Sequence, residues 1–550
     1  MELADQRSGH TRAEAIGERN TEGSLNSETH SHDSFRDWLL RAVPVLTAMV
    51  IGLWGAAFFI YYYSQGLTLI HYDAKARLLV ARRIFDNLSP GIDQMGMYWL
   101  PLPALIDIPA VLSRTLYHNG IAASLISVIC FAVSGYFLYR LVYLLRTDHA
   151  LSVAAVLIFA TNSSILYVQS TPLTESLYLA LSIGGIYYLT RFLYTEETRD
   201  LLAASILVAL STLVRHDGWS LCAGMNILLL IGLLQAKARW KVKRKYIAAF
   251  LLISLAGIFA FQAYCTFVTG EFLPPQKDER PLDPYSKGQA LKSFLIFLQC
   301  TRDIAGKPAF DTAILGFLIF LIHRRFRRPF LMAYALLHPI PLFAMAYFDG
   351  HPFRVRYSIV LLPAVALFAV VWWPAKRWAK IALACLIMIN VLFPRANRHA
   401  MLDEARYHMP EIKEREQAIH YFEKNYDSQL VLASMGWISP FLHDWGLPLH
   451  NVVHEGIYGT WDQALARPDK IVGWIVAEDG DPLAQAAVQN PRFLRRFKQV
   501  LRLSNLTVYR RVRSGEVMHW RRAGFAARVS SSIPLPSPRR MKLQSQANSL

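Results

Sequence analysis

Five short polar stretches break an apolar chain, and each combines residue types that handle protons or anions. His71, Tyr72 and Asp73 set a carboxylate beside an imidazole. An Asp before a helix is a favoured N-cap, and Arg77 is spaced to pair with it; the same group held at a membrane surface could act as a general base. Glu175 begins an apolar helical run. There it complements the helix dipole or, because a carboxylate near a bilayer is costly, faces a polar cavity. Arg215, His216, Asp217 and Gly218 form a tight turn that its own Arg–Asp pair could close. Arg354, Arg356 and Tyr357 place two guanidiniums at the start of a span, suited to anchoring on head groups or to gripping a specific anion. Asp93 and Trp99 read as a turn acid and an interface aromatic, or as further ligand contacts.

These groups need a scaffold, and the composition says which kind. Of 550 residues, 53% are hydrophobic and only 18% charged, well short of the charge a soluble chain carries. Apolar runs at 43–63, 121–145, 151–168, 173–194, 201–214, 219–234, 247–268, 309–322, 330–348, 357–373 and 378–393 predict about eleven transmembrane helices. The net charge of +18 then reflects the positive-inside rule and anionic lipids, not nucleic-acid binding. With the N-terminus in the cytoplasm, loops 235–246, 323–329 and 374–380 fall inside with thirteen Lys and Arg, against three in outside turns 169–174, 215–218 and 349–356. That orientation puts all five polar stretches on the outer side. The five cysteines show no CxxC spacing and sit in or beside apolar segments, so they read as small apolar residues.

The organisation follows. Residues 1–41 read as a disordered cytoplasmic tail, 42–394 as a transmembrane domain with an outer loop at 64–120, 395–520 as a small extracytoplasmic α/β domain, and 521–550 as a disordered tail. Strands are expected at 429–434, 471–477 and 506–512 and a helix at 411–425. In the outer loop, Ala74, Leu78, Ala81, Phe85 and Leu88 follow helical spacing while Lys75, Arg82, Arg83 and Asp86 take another side, predicting an amphipathic helix with a basic face on the membrane surface. Residues 102–116, with two prolines, Asp107 and Arg114, suit an interfacial segment better than a span.

The acid after the first span, the helix behind it and the YWLPLP stretch together resemble the first outer loop of the GT-C membrane glycosyltransferases. TESLYLAL and RHDG are similar to stretches of the mannosyltransferase branch. RVRYSIVLLPAVAL is similar to the family 39 type, which includes protein O-mannosyltransferases and aminoarabinose–lipid A transferases. The sequence departs from relatives that carry two adjacent acids, because Asp73 lies between Tyr72 and Ala74. The resemblance implies transfer of a sugar, mannose being the guess, from a polyprenyl-phosphate donor to an acceptor hydroxyl on protein, lipid or glycan, with inversion. It implies Asp73 as base; Glu175, Asp93 and His71 as orienting groups; Arg354 and Arg356 at the phosphate, backed by Lys75 and Arg82; and Trp99, His216, Asp217 and Tyr357 as further substrate contacts. No cofactor is required, although a divalent metal on Asp73 with Glu175 or Asp93 stays open. A bacterial cytoplasmic membrane is the expected location. A flippase for isoprenoid-linked glycans and a non-catalytic assembly subunit are the alternatives.

Overall fold

The structure, a computed structural model, describes residues 42–512 apart from 98, 236–239, 271, 273–284, 323–329, 375, 393–399, 408 and 458. Both expected tails lie almost wholly outside that set, as do Tyr98 of YWLPLP and parts of the basic loops.

Apolar helices predominate among the described residues between 42 and 392. Among the described residues, five are long and apolar enough to cross a membrane: Ala42–Ser64, Ile121–Arg146, Asp217–Leu234, Lys243–Thr269 and Leu331–Phe348. The remaining expected spans fall on helices that are shorter, broken or, like Glu175–Thr195, less apolar. Residues 151–168 divide between His149–Ala160 and Ser163–Val168, because Asn162 caps a new start by accepting from Ser164 and Ile165 N–H. Residues 357–373 divide between Val355–Ile359 and Leu362–Val371, where Pro363 at the second helix's start supplies no N–H to continue the first. Glu175–Thr195 packs closely between Ile121–Arg146 on one side and Thr198–Thr212 on the other.

Helix Tyr72–Arg82 joins three cores. Ala74 packs into the membrane-domain core, and Leu78 and Ala81 into a cluster with Ala104 and Val111 of helix Pro101–Leu112. Leu79 enters the core of the C-terminal domain with Phe422, Phe441 and Trp474. The surface-lying helix expected from periodicity is therefore corrected: this helix is buried on several faces, Lys75 and Arg77 included, and it ends at Arg82. Lys75 reads as part of a solvated face because its partner, Asp444, is remote in sequence.

The C-terminal region holds a five-stranded sheet in the order β2-β1-β3-β5-β4, built from β1 Val431–Ala433, β2 Val452–Val453, β3 Trp474–Glu478, β4 Phe497–Arg502 and β5 Leu506–Arg511. The first three strands are parallel, and β5 runs antiparallel to β3 and β4. Alternation divides the faces: Trp474 and Val476 pack beneath helices Met409–Asn425 and Met435–Trp445, while Ile475 and Ala477 pack with Leu483 and Phe493.

At the end of β3, burial pushes the Glu478 carboxyl up to about 8 against the pull of Arg415. An acid with a raised folded-state pKa keeps a proton that the unfolded chain releases, so stability falls as pH rises from about 4.5 to about 8. Glu478→Gln should raise the melting midpoint of the purified protein at pH 8 and change it little at pH 4.5. Equal shifts at both pH values would contradict this.

Candidate active site

Six charged side chains from four parts of the chain converge where helix Tyr72–Arg82 meets the membrane helices. His71 caps this helix: its Nδ1 accepts the Asp73 N–H at 3.1 Å. Asp73 therefore is not the N-cap that the sequence suggests. It lies in the first turn, and its carboxylate accepts a charge-assisted hydrogen bond from Arg356, which begins the helical stretch Val355–Ile359. The second nitrogen group of this arginine, Nε, lies 3.9 Å from Glu175 Oε1.

Glu175 opens helix Glu175–Thr195 and is fully buried. Arg215 donates to Glu175 Oε1 at 2.5 Å and to Asp217 Oδ2 at 2.7 Å. The local Arg–Asp turn pair foreseen from RHDG thus exists and also reaches a second helix. Gly218 permits it, since a Cβ there would lie 2.4 Å from the Ser211 carbonyl oxygen. Any larger residue would push the turn away from helix Thr198–Thr212.

The result is a ladder running Asp73, Arg356, Glu175, Arg215, Asp217. Buried charges persist only when paired, and each member here faces an opposite charge. Arg77 completes a set of three cations and three carboxylates. It stacks over the Trp99 ring at 4.6 Å, and it makes no salt bridge among the described residues. Glu175 Oε2, Asp217 Oδ1, Thr174 Oγ1, Arg77 Nε and Arg356 Nε are buried without a hydrogen-bond partner among the described residues. Such unfilled polar capacity is costly in a folded chain and suits a ligand rich in hydroxyls or phosphate oxygens. Burial alone would push Asp73 up, but Arg356, His71 and Arg77 outweigh it and hold its carboxyl well below the usual carboxylate range.

Residues 99–298 match the family model described as Mannosyltransferase (PIG-V). Among solved structures, ArnT from Cupriavidus metallidurans bound to undecaprenyl phosphate is 12% identical, with a TM-score of 0.52 over 83% of this chain and 97% of that one. Its apo state gives 13% and 0.53 over the same shares. The chain thus shares the fold of ArnT, and its residues 99–298 are similar to the PIG-V mannosyltransferases. The Archaeoglobus fulgidus oligosaccharyltransferase in complex with Zn and sulfate is similar at 11% identity and a TM-score of 0.48, over 82% of this chain and 71% of that one. No curated protein matches.

The other candidate residues are distributed as follows. Arg354 stands two residues before Arg356, makes no salt bridge among the described residues, and acts electrostatically on Glu404. Tyr357 stacks on Phe343 at 4.5 Å. Trp99 reaches the cluster through Arg77. His216 is exposed beside Trp219, one residue from the ladder. Asp93 Oδ2 accepts from Gln94 and does not join the ladder. Lys75 and Arg82, expected behind the phosphate arginines, are corrected: Lys75 pairs with Asp444 at 2.5 Å, and Arg82 with Asp86 at 3.1 Å and the Val111 carbonyl. Both are committed to holding the loop and the C-terminal domain. Among the described residues, no three His, Cys, Asp or Glu groups lie close enough to hold a metal ion.

Sequence reading missed Arg77 as a site residue, Arg215 as a bridge, and Glu404. Glu404 lies beyond the last expected span, accepts the Val355 N–H at 2.8 Å and sits 3.9 Å from His71 Nε2. It thereby ties the Arg356 segment to the cap of the Asp73 helix. Nothing local marked it, because it sits in an ordinary polar helix, Ala400–Arg406.

Proposed function

We propose that this glycosyltransferase moves a sugar, with mannose the first candidate, from a polyprenyl-phosphate donor to an acceptor hydroxyl on a protein, lipid or glycan. The reaction takes place on the extracytoplasmic side of a bacterial cytoplasmic membrane, where the C-terminal domain also lies. The part-buried Asp73–Arg356 pair carries this reading, because it joins a proton acceptor to a phosphate-binding cation in one contact. The match to mannosyltransferases over 99–298 supports the sugar, and the likeness to an ArnT solved with undecaprenyl phosphate supports the lipid.

The acceptor oxygen attacks the anomeric carbon as its proton passes to Asp73. The bond between that carbon and the phosphate oxygen breaks, and polyprenyl phosphate leaves with the electron pair. A single displacement of this kind inverts the anomeric centre. Charge grows on the departing phosphate, so fixed guanidiniums stabilise the transition state more than the ground state. Arg356 and Arg354 take this part, with Arg77 available on the other side of Asp73. The donor phosphate competes with Asp73 for Arg356. Once that arginine turns to the phosphate, the carboxylate loses its strongest stabilising partner and becomes more basic. Donor binding thus activates the base. Glu175 and Asp217, both held by Arg215, orient the sugar through their unfilled hydrogen-bonding capacity.

Proteoliposomes loaded with donor labelled in the sugar test this directly. Transfer requires the label to leave the lipid and appear on the acceptor with inverted configuration. Label that crosses the bilayer while still attached to lipid would make the protein a flippase and defeat the proposal.

A further inference from the structure

We propose that the C-terminal α/β domain is a working part of the transfer site, with Tyr72 and Lys75, gripped by that domain, as positioning residues for Asp73. The inference rests on the functional reading above and extends it to a domain that the reading leaves idle.

Three contacts hold helix Tyr72–Arg82 to helix Met435–Trp445. Tyr72 Oη donates to the Gly436 carbonyl at 2.7 Å and to the Trp437 carbonyl at 3.1 Å, at the start of the partner helix. Lys75 Nζ donates to Asp444 Oδ2 at 2.6 Å, near its end. One turn beyond Lys75, Leu79 is fully buried in the α/β core. Residues turn by about 100° each along a helix, so Lys75 points away from Asp73. One side of the helix is thereby fixed to the α/β domain and the other presents Asp73 to Arg356. Lys75 is 9% exposed, so its ammonium depends on Asp444 for compensation. His443 Nδ1, at 3.3 Å, is the other titratable group at Asp444.

The carboxyl ends of the parallel strands reinforce the grip. The loop after β2 brings His454 to Asn87 at 3.3 Å and the Gly456 carbonyl to Gln94 at 3.0 Å. The catalytic helix therefore takes its position from the α/β domain as much as from the membrane helices. A shift near 1 Å in a reacting group can cost about a hundredfold in rate, so loosening this grip should act on turnover and not on donor affinity.

A charge swap tests the proposal on the full-length purified protein. Lys75→Asp and Asp444→Lys should each lower kcat by about tenfold to a hundredfold, with donor KM within about twofold of wild type, and the double swap should recover most of the loss. Tyr72→Phe removes only a hydroxyl, so it guards against misfolding, and it should lower kcat by about threefold or more at normal membrane accumulation. Wild-type kcat in Tyr72→Phe and in both single-charge variants would overturn the proposal, as would a double swap no better than its parents. Should the wild type transfer no sugar, the functional reading fails, and amide hydrogen exchange over 72–82 decides the grip alone. Protection lost in Asp444→Lys and regained in the swap supports it; unchanged protection overturns it.

Discussion

Asp73→Asn is expected to accumulate in the membrane like wild type and to lose about 10²–10⁴-fold in turnover, the usual contribution of a general base. Asn is nearly isosteric, and its backbone N–H still donates to His71, so the helix start survives. Arg356 keeps Glu175 at 3.9 Å, which limits the cost of removing one partner of a buried pair. The amide cannot take up a proton at neutral pH. A merely structural Asp73 predicts the reverse pattern, with reduced accumulation and near-normal specific activity. Quantitative membrane blotting beside initial-rate kinetics separates the two. Near-wild-type activity in Asp73→Asn would pass the base role to Glu175.

Arg356→Ala should cost about 2–4 kcal/mol in the barrier, roughly 30- to 1000-fold in kcat/KM, because charge develops on the phosphate where the guanidinium sits. The pH profile carries a second, independent signal. In the wild type Arg356 helps hold the Asp73 carboxyl well below the usual carboxylate range, so the free carboxylate stays ionised through mildly acidic pH. Without Arg356 the carboxyl pKa rises, and the acid limb of kcat/KM should move to higher pH. Arg356→Lys should restore part of the rate, since Lys keeps the charge but not the planar fork. Donor kinetics and an acid limb unchanged in Arg356→Ala would move the phosphate to Arg354 and Arg77.

The apolar runs made the membrane helices legible, since composition alone dictates burial in lipid. The soluble character of the C-terminal region was legible for the same reason. Asp73, Glu175, Asp217 and Arg356 were visible as polar groups at helix ends, and the charge of the loops placed them on one side. Their pairing was not visible. Asp73 and Arg356 are 283 residues apart, and no local pattern names the partner. Lys75 and Arg82 misled because a helix buried on several faces satisfies its cations through tertiary contacts, here Asp444 and the Val111 carbonyl, while an identical helical spacing on a free helix would leave them in water. The two-residue β2 carries too few residues for a period to register, and β4 keeps polar side chains on an edge strand.

The central claim is that Asp73 drives sugar release from a lipid phosphate. Purified wild type and Asp73→Asn, each given a defined polyprenyl-phosphate mannose and an acceptor mixture in detergent, test it most directly through the free polyprenyl phosphate formed. The account predicts lipid phosphate released in step with glycosylated product by the wild type, and release at least about a hundredfold slower in the variant. Equal release by both proteins, or none by a folded wild type while a nucleotide-sugar donor is consumed, would contradict it.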